Sequence, residues 1–426
     1  MATLLTVLVG WSLLALRLMG SGLTICHATA SSSRKAADQR SAQGGRPLDF
    51  NIRVLLMERL ADVHFRITGP YEVVWDSDSL LIEAGSDPVE LVAVYESRQV
   101  RIPQLDRVPP NAVLHLRADW PGGIGVRWSD GSWRRYRGQM TLLSGDDGHG
   151  RLINVVDIET YLSSVVASEL HRGFHPEAFR AQAIAARTYA WYQKQTTTPA
   201  ALWDLRATQS SQVYLGVDRE ELVPEAVEAV LQTRGVVCTW ASPRGQRIFC
   251  AYYGSTCGGC TQAGGSVGNE PTIPPLAGGV VCEYCRESAN YRWAPVRIGK
   301  DAITERLRSV YPRFETIGPI ESLEGVDTSP CGRPKRIALR DGEGRTIELS
   351  AENFRMALNP AGMLIKSSWF EPLIDVTSIT LANGRGFGHG MGLCQYGADG
   401  LARAGASAGR IIRHYYPTTS LIRAYE

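Results

Sequence analysis

Residues 175–195, HPEAFRAQAIAARTYAWYQKQ, limit the possible folds more than any other stretch. Pro176 suits the first position of a helix, and Glu177 suits the positive end of its dipole. Ala178, Ala181, Ala183, Ala185, Ala186 and Ala190 are all small. A helix built this way can pack closely against neighbours on several sides. Arg180 and Arg187 are seven residues apart and share a face, as do Gln182 and Tyr189. Solvated surface is the plain expectation for that arginine face, above all for Arg180.

The preceding segment carries a misfit. Asp157 is a good N-cap for a helix running from 158 to about 170. Ile158, Leu162, Val165 and Glu169 follow the i, i+4, i+7, i+11 series and so form one stripe. Glu169 therefore points towards apolar surroundings. It also sits in the last turn, where the negative end of the dipole disfavours a carboxylate. Both effects raise its pKa, and a carboxyl that stays protonated near neutrality is what a general acid requires. From spacing alone, a glutamate that reaches back to water or pairs with His171 or Arg172 is the commoner outcome.

The rest of the chain reads as α+β: mixed β-sheets, a helical catalytic segment and a β-rich N-terminal region. Residues 49–137 are short alternating segments broken by Gly and Pro, with a hairpin signal at Ser129-Asp130-Gly131-Ser132. Hairpins are expected at 235–253 and 335–350, and helices at 301–310 and 350–358, the last capped by Ser350. A net charge of +2 across 426 residues does not advertise nucleic acid as a partner. Leu4 to Leu16 is apolar and stops at Arg17, and Ala28-Thr29-Ala30 offers a cleavage site. Residues 1–30 thus read as a signal peptide and 31–48 as a disordered linker, which places the mature protein outside the cytoplasm. No Lys or Arg precedes the apolar core, so an uncleaved membrane anchor or a lipid-linked Cys26 is an alternative.

Two further features carry chemistry. GRGFGHGMGL (384–393) has Gly at every second position; on a strand these share one bare face, open to a sugar strand or to a second backbone. CGGC (257–260) and CEYC (282–285) are CxxC pairs separated by 21 residues. Such knuckles suit a tetrahedral, structural zinc held by Cys257, Cys260, Cys282 and Cys285; the rival is a pair of disulfides. The metal would brace the loop carrying Ser255 and Thr256. Cys238 and Cys250 are placed for a cross-strand disulfide or for packing. Cys331 and Cys394 give no clear signal.

INVVDIETYLSSVVASELHRGFHPEAFRAQAIAARTYAWYQ (153–193), DLRATQSSQVYLG (204–216), AYYGSTCGGCTQ (251–262) and GRGFGHGMGLCQYGADGLARAG (384–405) together resemble the SpoIID/LytB family, also called sporulation stage II protein D or amidase-enhancer-like. The likeness runs over roughly 138–424, which makes 138–426 the candidate catalytic domain. It implies a secreted lytic transglycosylase that cuts peptidoglycan glycan strands stripped of peptides. The glutamate of the family's Ser-Glu step falls on Glu169. One carboxyl suffices if the substrate's own 6-hydroxyl closes an anhydro ring, with Glu169 acting first as acid and then as base. Gln182, Arg187, Ser255, Thr256, His389, Gln395 and Tyr396 are the candidates for contacting substrate, Arg187 through a lactyl carboxylate. The resemblance also implies zinc in some members. Two rival readings are a non-catalytic peptidoglycan-binding module that enhances a cell-wall amidase, and a conventional glycoside hydrolase.

Overall fold

A computed structural model of the chain describes residues 50–426, apart from 76–79, 97, 106–112, 120, 146, 267–271, 330 and 360–363. The expected signal peptide and linker lie outside the described residues. The fold is α+β. A seven-stranded sheet has the order Leu205–Arg206, Asn51–Leu60, Gly150–Asp157, Gln139–Ser144, Leu114–Ala118, Tyr71–Trp75, Leu80–Gly85. A five-stranded sheet has the order Gln99–Arg101, Val89–Glu96, Asp62–Thr68, Gly123–Arg127, Trp133–Tyr136. Alternation decides which faces are covered: Val63, Phe65 and Ile67 are buried while their neighbours Asp62, Arg66 and Thr68 are exposed. The SDGS turn joins the last two strands of the smaller sheet, as its sequence suggests.

The strand Gly150–Asp157 runs directly into α1 (Ile158–Glu169). Asp157 caps this helix, its Oδ1 accepting the N–H of Glu159 at 3.0 Å and of Thr160 at 3.3 Å. After a short turn, α2 (Pro176–Thr196) starts at an N-cap His175, whose Nδ1 accepts from Glu177 N–H at 3.2 Å. All six of its alanines are buried. They let α2 touch α1, α4 (Pro224–Gln232), α7 (Gln395–Arg403), α8 (Ala408–Tyr415) and the strand Val236–Ser242 at once. The short α3 (Val217–Leu222) packs on α1. One core joins both large sheets to α1, α2 and α4; a second gathers the other side of α2 with α7 and α8.

Arg187 departs from expectation. It is fully buried rather than solvated. Its Nε and Nη2 donate to the two carboxylate oxygens of Glu159 at 2.8 and 2.6 Å, and further N–H groups reach the carbonyls of Val230 and Val236. Burial opposes the charge on Glu159, but Arg187, Tyr425 O–H and Gly235 N–H hold its pKa below the usual value. The pair pins α1, α2 and the end of α4 together.

A third, separate core belongs to residues 293–382. It holds the sheet Ile320–Thr328, Pro334–Asp341, Ser350-terminated Thr346–Ser350, the sheet Val296–Gly299, Ser378–Ala382, Glu371–Ile374, and two helices, α5 (Lys300–Val310) and α6 (Ala351–Leu358). Ser350 caps α6 through Asn353 N–H at 3.1 Å, as the sequence predicts. The glycine-rich segment is not the regular strand expected. Gly386, Gly388, Gly390 and Gly392 have φ of +81°, +95°, +75° and +62°, which breaks the two-residue alternation. A Cβ on Gly392 would collide with the Tyr252 carbonyl, so close backbone approach, not a bare strand face, explains that glycine.

Removing one partner of the buried pair leaves an uncompensated charge. Arg187→Ala is expected to lower stability by about 3–5 kcal/mol, and Arg187→Met with Glu159→Leu to recover most of that loss. Urea unfolding of the three proteins measures this; equal stability of Arg187→Ala and wild type would refute the role.

Candidate active site

Glu169 is the last residue of α1 and is half-buried. Its Oε1 accepts the backbone N–H of Val213 at 2.9 Å and lies 3.5 Å from Tyr253 O–H; its Oε2 accepts from Gln395 Nε2 at 3.3 Å. Tyr253 is oriented from behind by Gln212, whose Nε2 donates to the phenolic oxygen at 3.0 Å and to the Ala186 carbonyl at 3.2 Å. Gln212 in turn accepts from Tyr161 O–H at 3.1 Å. Four separated stretches thus meet at one carboxyl: α1, residues 212–213, residue 253 and the start of α7. The packing of Ala186 on the central helix is what brings them close.

Burial pushes the Glu169 pKa up, and the donors from Val213, Gln395 and Tyr253 offset this only in part. Among the described residues no basic side chain hydrogen-bonds to it. His171 and Arg172 are exposed and turn elsewhere. His171 instead joins Phe174 and Tyr396 in an aromatic cluster, with ring centroids 5.1 to 5.7 Å apart. Glu169 is therefore a carboxyl biased towards its protonated form beside an aromatic rim.

The expected contact residues divide into three groups. Gln395 touches Glu169, and Tyr396 forms part of the rim. Ser255 and His389 stand one layer back. The Ser255 carbonyl accepts Tyr396 N–H at 3.1 Å. His389 packs edge-on to Tyr252 at 5.8 Å and accepts Met391 N–H on Nδ1 at 3.0 Å. Burial, with Arg333 and Arg355 nearby, brings its pKa down to about 4, so the ring is neutral. Thr256, Gln182 and Arg187 are buried and make no hydrogen bond to Glu169 among the described residues. The Thr256 hydroxyl is 3.0 Å from that of Ser288. Gln182 shares a stripe of α2 with Ala186 and Tyr189, inside the protein. Sequence reasoning missed Tyr161, Gln212, Val213 and Tyr253. Three of them lie in the stretches DLRATQSSQVYLG and AYYGSTCGGCTQ, and the signal available was the company of those stretches, not any property of the single residues.

The expected zinc ligands need one exchange. Cys260 is bonded to Cys331, with Cα atoms 6.2 Å apart. Cys394 takes its place: Cys257, Cys282, Cys285 and Cys394 are buried with their sulfurs all within 4.8 Å of one another. Cys257 and Cys285 are 3.7 Å apart, close to the edge of about 3.8 Å that Zn–S bonds of 2.3 Å give a tetrahedron. The four residues therefore fit a tetrathiolate metal. Cys394 also caps α7, accepting Gly397 N–H at 3.4 Å, one residue before Gln395. Cys238 and Cys250 pack in different cores, so the cross-strand bond between them is not formed.

The site is thus a partly buried carboxyl of raised pKa on a helix end, with tyrosine and amide groups around it. Residues 146–240, which hold α1, α2, Glu169 and Gln212, match the family model described as Stage II sporulation protein, SpoIID. An uncharacterized protein of Brachyspira hyodysenteriae is 26% identical over 381 residues, covering 87% of this chain and 92% of its own length. Stage II sporulation protein D of Bacillus subtilis is 27% identical over 281 residues, covering 63% and 75%. The amidase enhancer of Bacillus subtilis is 26% identical over 303 residues, covering 61% of this chain and 40% of the enhancer. The family model and these relatives support the resemblance to the SpoIID/LytB family that the sequence motifs suggest.

The raised pKa has a sign that stability can test. A carboxyl whose folded pKa lies above its unfolded value stabilises the fold below the unfolded pKa, near 4.3, and loses that contribution as pH rises through the folded pKa. Glu169→Gln is therefore expected to melt higher than wild type at pH 8, with the difference shrinking towards pH 4. Melting curves across this range measure it; a variant less stable at pH 8 than at pH 4, relative to wild type, contradicts it.

Proposed function

We propose that the chain is an extracytoplasmic lytic transglycosylase acting on peptidoglycan glycan strands, with Glu169 as its one acid and base. The carrying observation is the half-buried Glu169, of raised pKa, held by Val213, Tyr253 and Gln395, with no basic partner among the described residues. Among the described residues, no second carboxylate joins its hydrogen-bond network.

The step balances with a single carboxyl. Glu169 gives its proton to the glycosidic oxygen as the bond from that oxygen to the muramyl C1 breaks. The 6-hydroxyl oxygen of the same sugar then bonds to C1, and its proton returns to Glu169. No water is consumed, and the product ends in a 1,6-anhydro ring. Gln395 suits both stages, since turning its amide changes it from a donor to the carboxylate into an acceptor from the acid. Tyr396, Phe174 and His171 offer aromatic faces to the sugars.

Peptide-free strands incubated with the protein are expected to yield anhydro ends, with the rate falling as pH rises past the raised pKa. Glu169→Gln is expected to lose at least about 100-fold. Hydrolysed ends would point to a conventional glycosidase. Strand binding without cleavage, unchanged by Glu169→Gln, would favour the second reading: a partner that enhances a cell-wall amidase, as the name of the enhancer relative suggests. Location outside the cytoplasm rests on the N-terminal sequence and on the relatives; among the described residues no helix is long and apolar enough to cross a membrane.

A structural zinc on Cys257, Cys282, Cys285 and Cys394 belongs to this reading. It would tie the start of α7, and so Gln395, to the loop after Tyr253. About one zinc per chain is expected, kept in Cys260→Ser and lost in Cys394→Ser. Elemental analysis decides it; a metal-free native protein, or loss of metal in Cys260→Ser alone, would refute this ligand set.

A further inference from the structure

Five residues of α7 are buried: Gln395, Gly397, Ala398, Leu401 and Ala402. The others, Tyr396, Asp399, Gly400 and Arg403, fall at i, i+3, i+4 and i+7 and so form its one open face. This face begins at the carboxyl, because Gln395 donates to Glu169 at 3.3 Å and Tyr396 follows it in the helix. One edge of the face is fixed to the loop after Glu169. Asp399 Oδ1 accepts His175 N–H at 2.6 Å and its Oδ2 accepts Arg403 Nε at 2.8 Å. Arg403 Nη2 donates to the Gly173 carbonyl at 2.7 Å. The same loop carries His171 and Phe174, whose rings meet that of Tyr396.

The other edge of the face is the cysteine knuckle 282–285. A Cβ on Gly400 would stand 2.6 Å from the Tyr284 carbonyl oxygen and 2.9 Å from the Tyr284 Cβ. The knuckle therefore lies directly on α7, which accounts for a glycine inside a helix. It is held from below: Cys282 N–H donates to the Gly259 carbonyl at 2.9 Å, and Cys282 Sγ lies 3.1 Å from Tyr415 O–H. The sulfurs of Cys282 and Cys285 both belong to the four-thiol cluster. Tyr284, between these two buried cysteines, is 44% exposed. Gly400, on which it rests, is one turn beyond Tyr396, about 6 Å along the axis. The charges around it are paired, Asp399 with Arg403 and Glu283 with Arg286 at 3.1 Å.

We propose that Tyr284 forms a further sugar subsite, in which its ring supports a pyranose of the strand beyond the rim of His171, Phe174 and Tyr396. The assignment rests on the glycan reading above. A tyrosine offers an apolar body and a polar tip, which suits a sugar ring with C–H groups on its faces and hydroxyls at its edge. The paired charges leave nothing to favour an ionic ligand over a neutral one. The backbone under the ring is fixed before binding, which lowers the cost of ordering it. A strand lying from Glu169 over Tyr396 to Tyr284 is gripped at separate points, so its length sets its affinity. The thiol cluster then has two duties: Cys394 leads into Gln395, and Cys282 and Cys285 present Tyr284.

The test uses full-length protein carrying Glu169→Gln, so that strands bind without being cut. A disaccharide and an octasaccharide of peptidoglycan glycan are titrated by calorimetry. A well-placed aromatic contact is worth about tenfold in affinity, so adding Tyr284→Ala is expected to weaken the octasaccharide about tenfold. The disaccharide, too short to reach the subsite from Glu169, is expected to bind as before. Tyr284→Phe and Tyr284→Trp are expected to keep the octasaccharide affinity, since either ring can support a sugar. Unchanged melting and unchanged metal content in Tyr284→Ala exclude a collapsed knuckle as the cause. Should the alanine variant lose either, Tyr284→Leu keeps the bulk without the ring and is expected to show the same selective loss. Tyr284→Ala and Tyr284→Leu that bind the octasaccharide like the parent overturn the subsite alone, as does an equal loss for both lengths. A parent that binds neither oligomer overturns the glycan reading as well.

Discussion

The buried pair of Arg187 and Glu159 is the interaction on which the helical half around Glu169 depends. Taking two charges out of water costs several kcal/mol per ion unless their hydrogen bonds are met. Here they are met only in the assembled structure. The guanidinium needs Glu159 from α1, Val230 from the end of α4 and Val236 from the strand after it. Glu159 needs Gly235 N–H and the hydroxyl of Tyr425, almost at the chain's end. Partial assembly leaves a naked charge, so these elements fold as a unit. The alanines of α2 make this possible by letting five neighbours approach one helix.

The same helix carries two glutamates with opposite fates. Glu159 sits in the first turn of α1, where the dipole favours negative charge, and an arginine faces it. Glu169 sits in the last turn, where the dipole disfavours it, and only neutral donors face it. One is held below its ordinary pKa and ties the structure together; the other is held above its own. Ten residues of one helix thus separate a structural ion pair from an acid, and the difference lies in neighbours, not in residue type.

Much of this was legible in local pattern. Asp157, Pro176 and Ser350 announce their helices, the alanines announce a central helix, and the stripe exposes Glu169. These depend on spacings of a few residues. What was not legible depends on chain segments far apart in sequence. CxxC spacing made Cys260 the natural fourth ligand, yet its thiol is claimed by Cys331, 71 residues away, while Cys394 arrives from the start of α7. Arg187 reads as surface because its partner lies on another helix. Gln212 and Val213 have no pattern of their own; they matter through where residues 204–216 cross α1. The glycine-rich segment misleads because alternation suggests a strand, whereas positive φ at every second residue bends it around its neighbours.

The module 293–382 leaves and rejoins the main body at one point. Trp293 N–H donates to the Gly384 carbonyl at 3.0 Å, and Arg292 bridges to Arg385. Its core is its own, and its entry and exit strands lie side by side. A segment attached this way can be lengthened, shortened or exchanged over evolutionary time without re-threading the chain around Glu169. The appended module is thus free to change at its own rate, within the limits set by the Cys260–Cys331 disulfide and by cross-links such as Arg333 Nη2 to the Gly388 carbonyl.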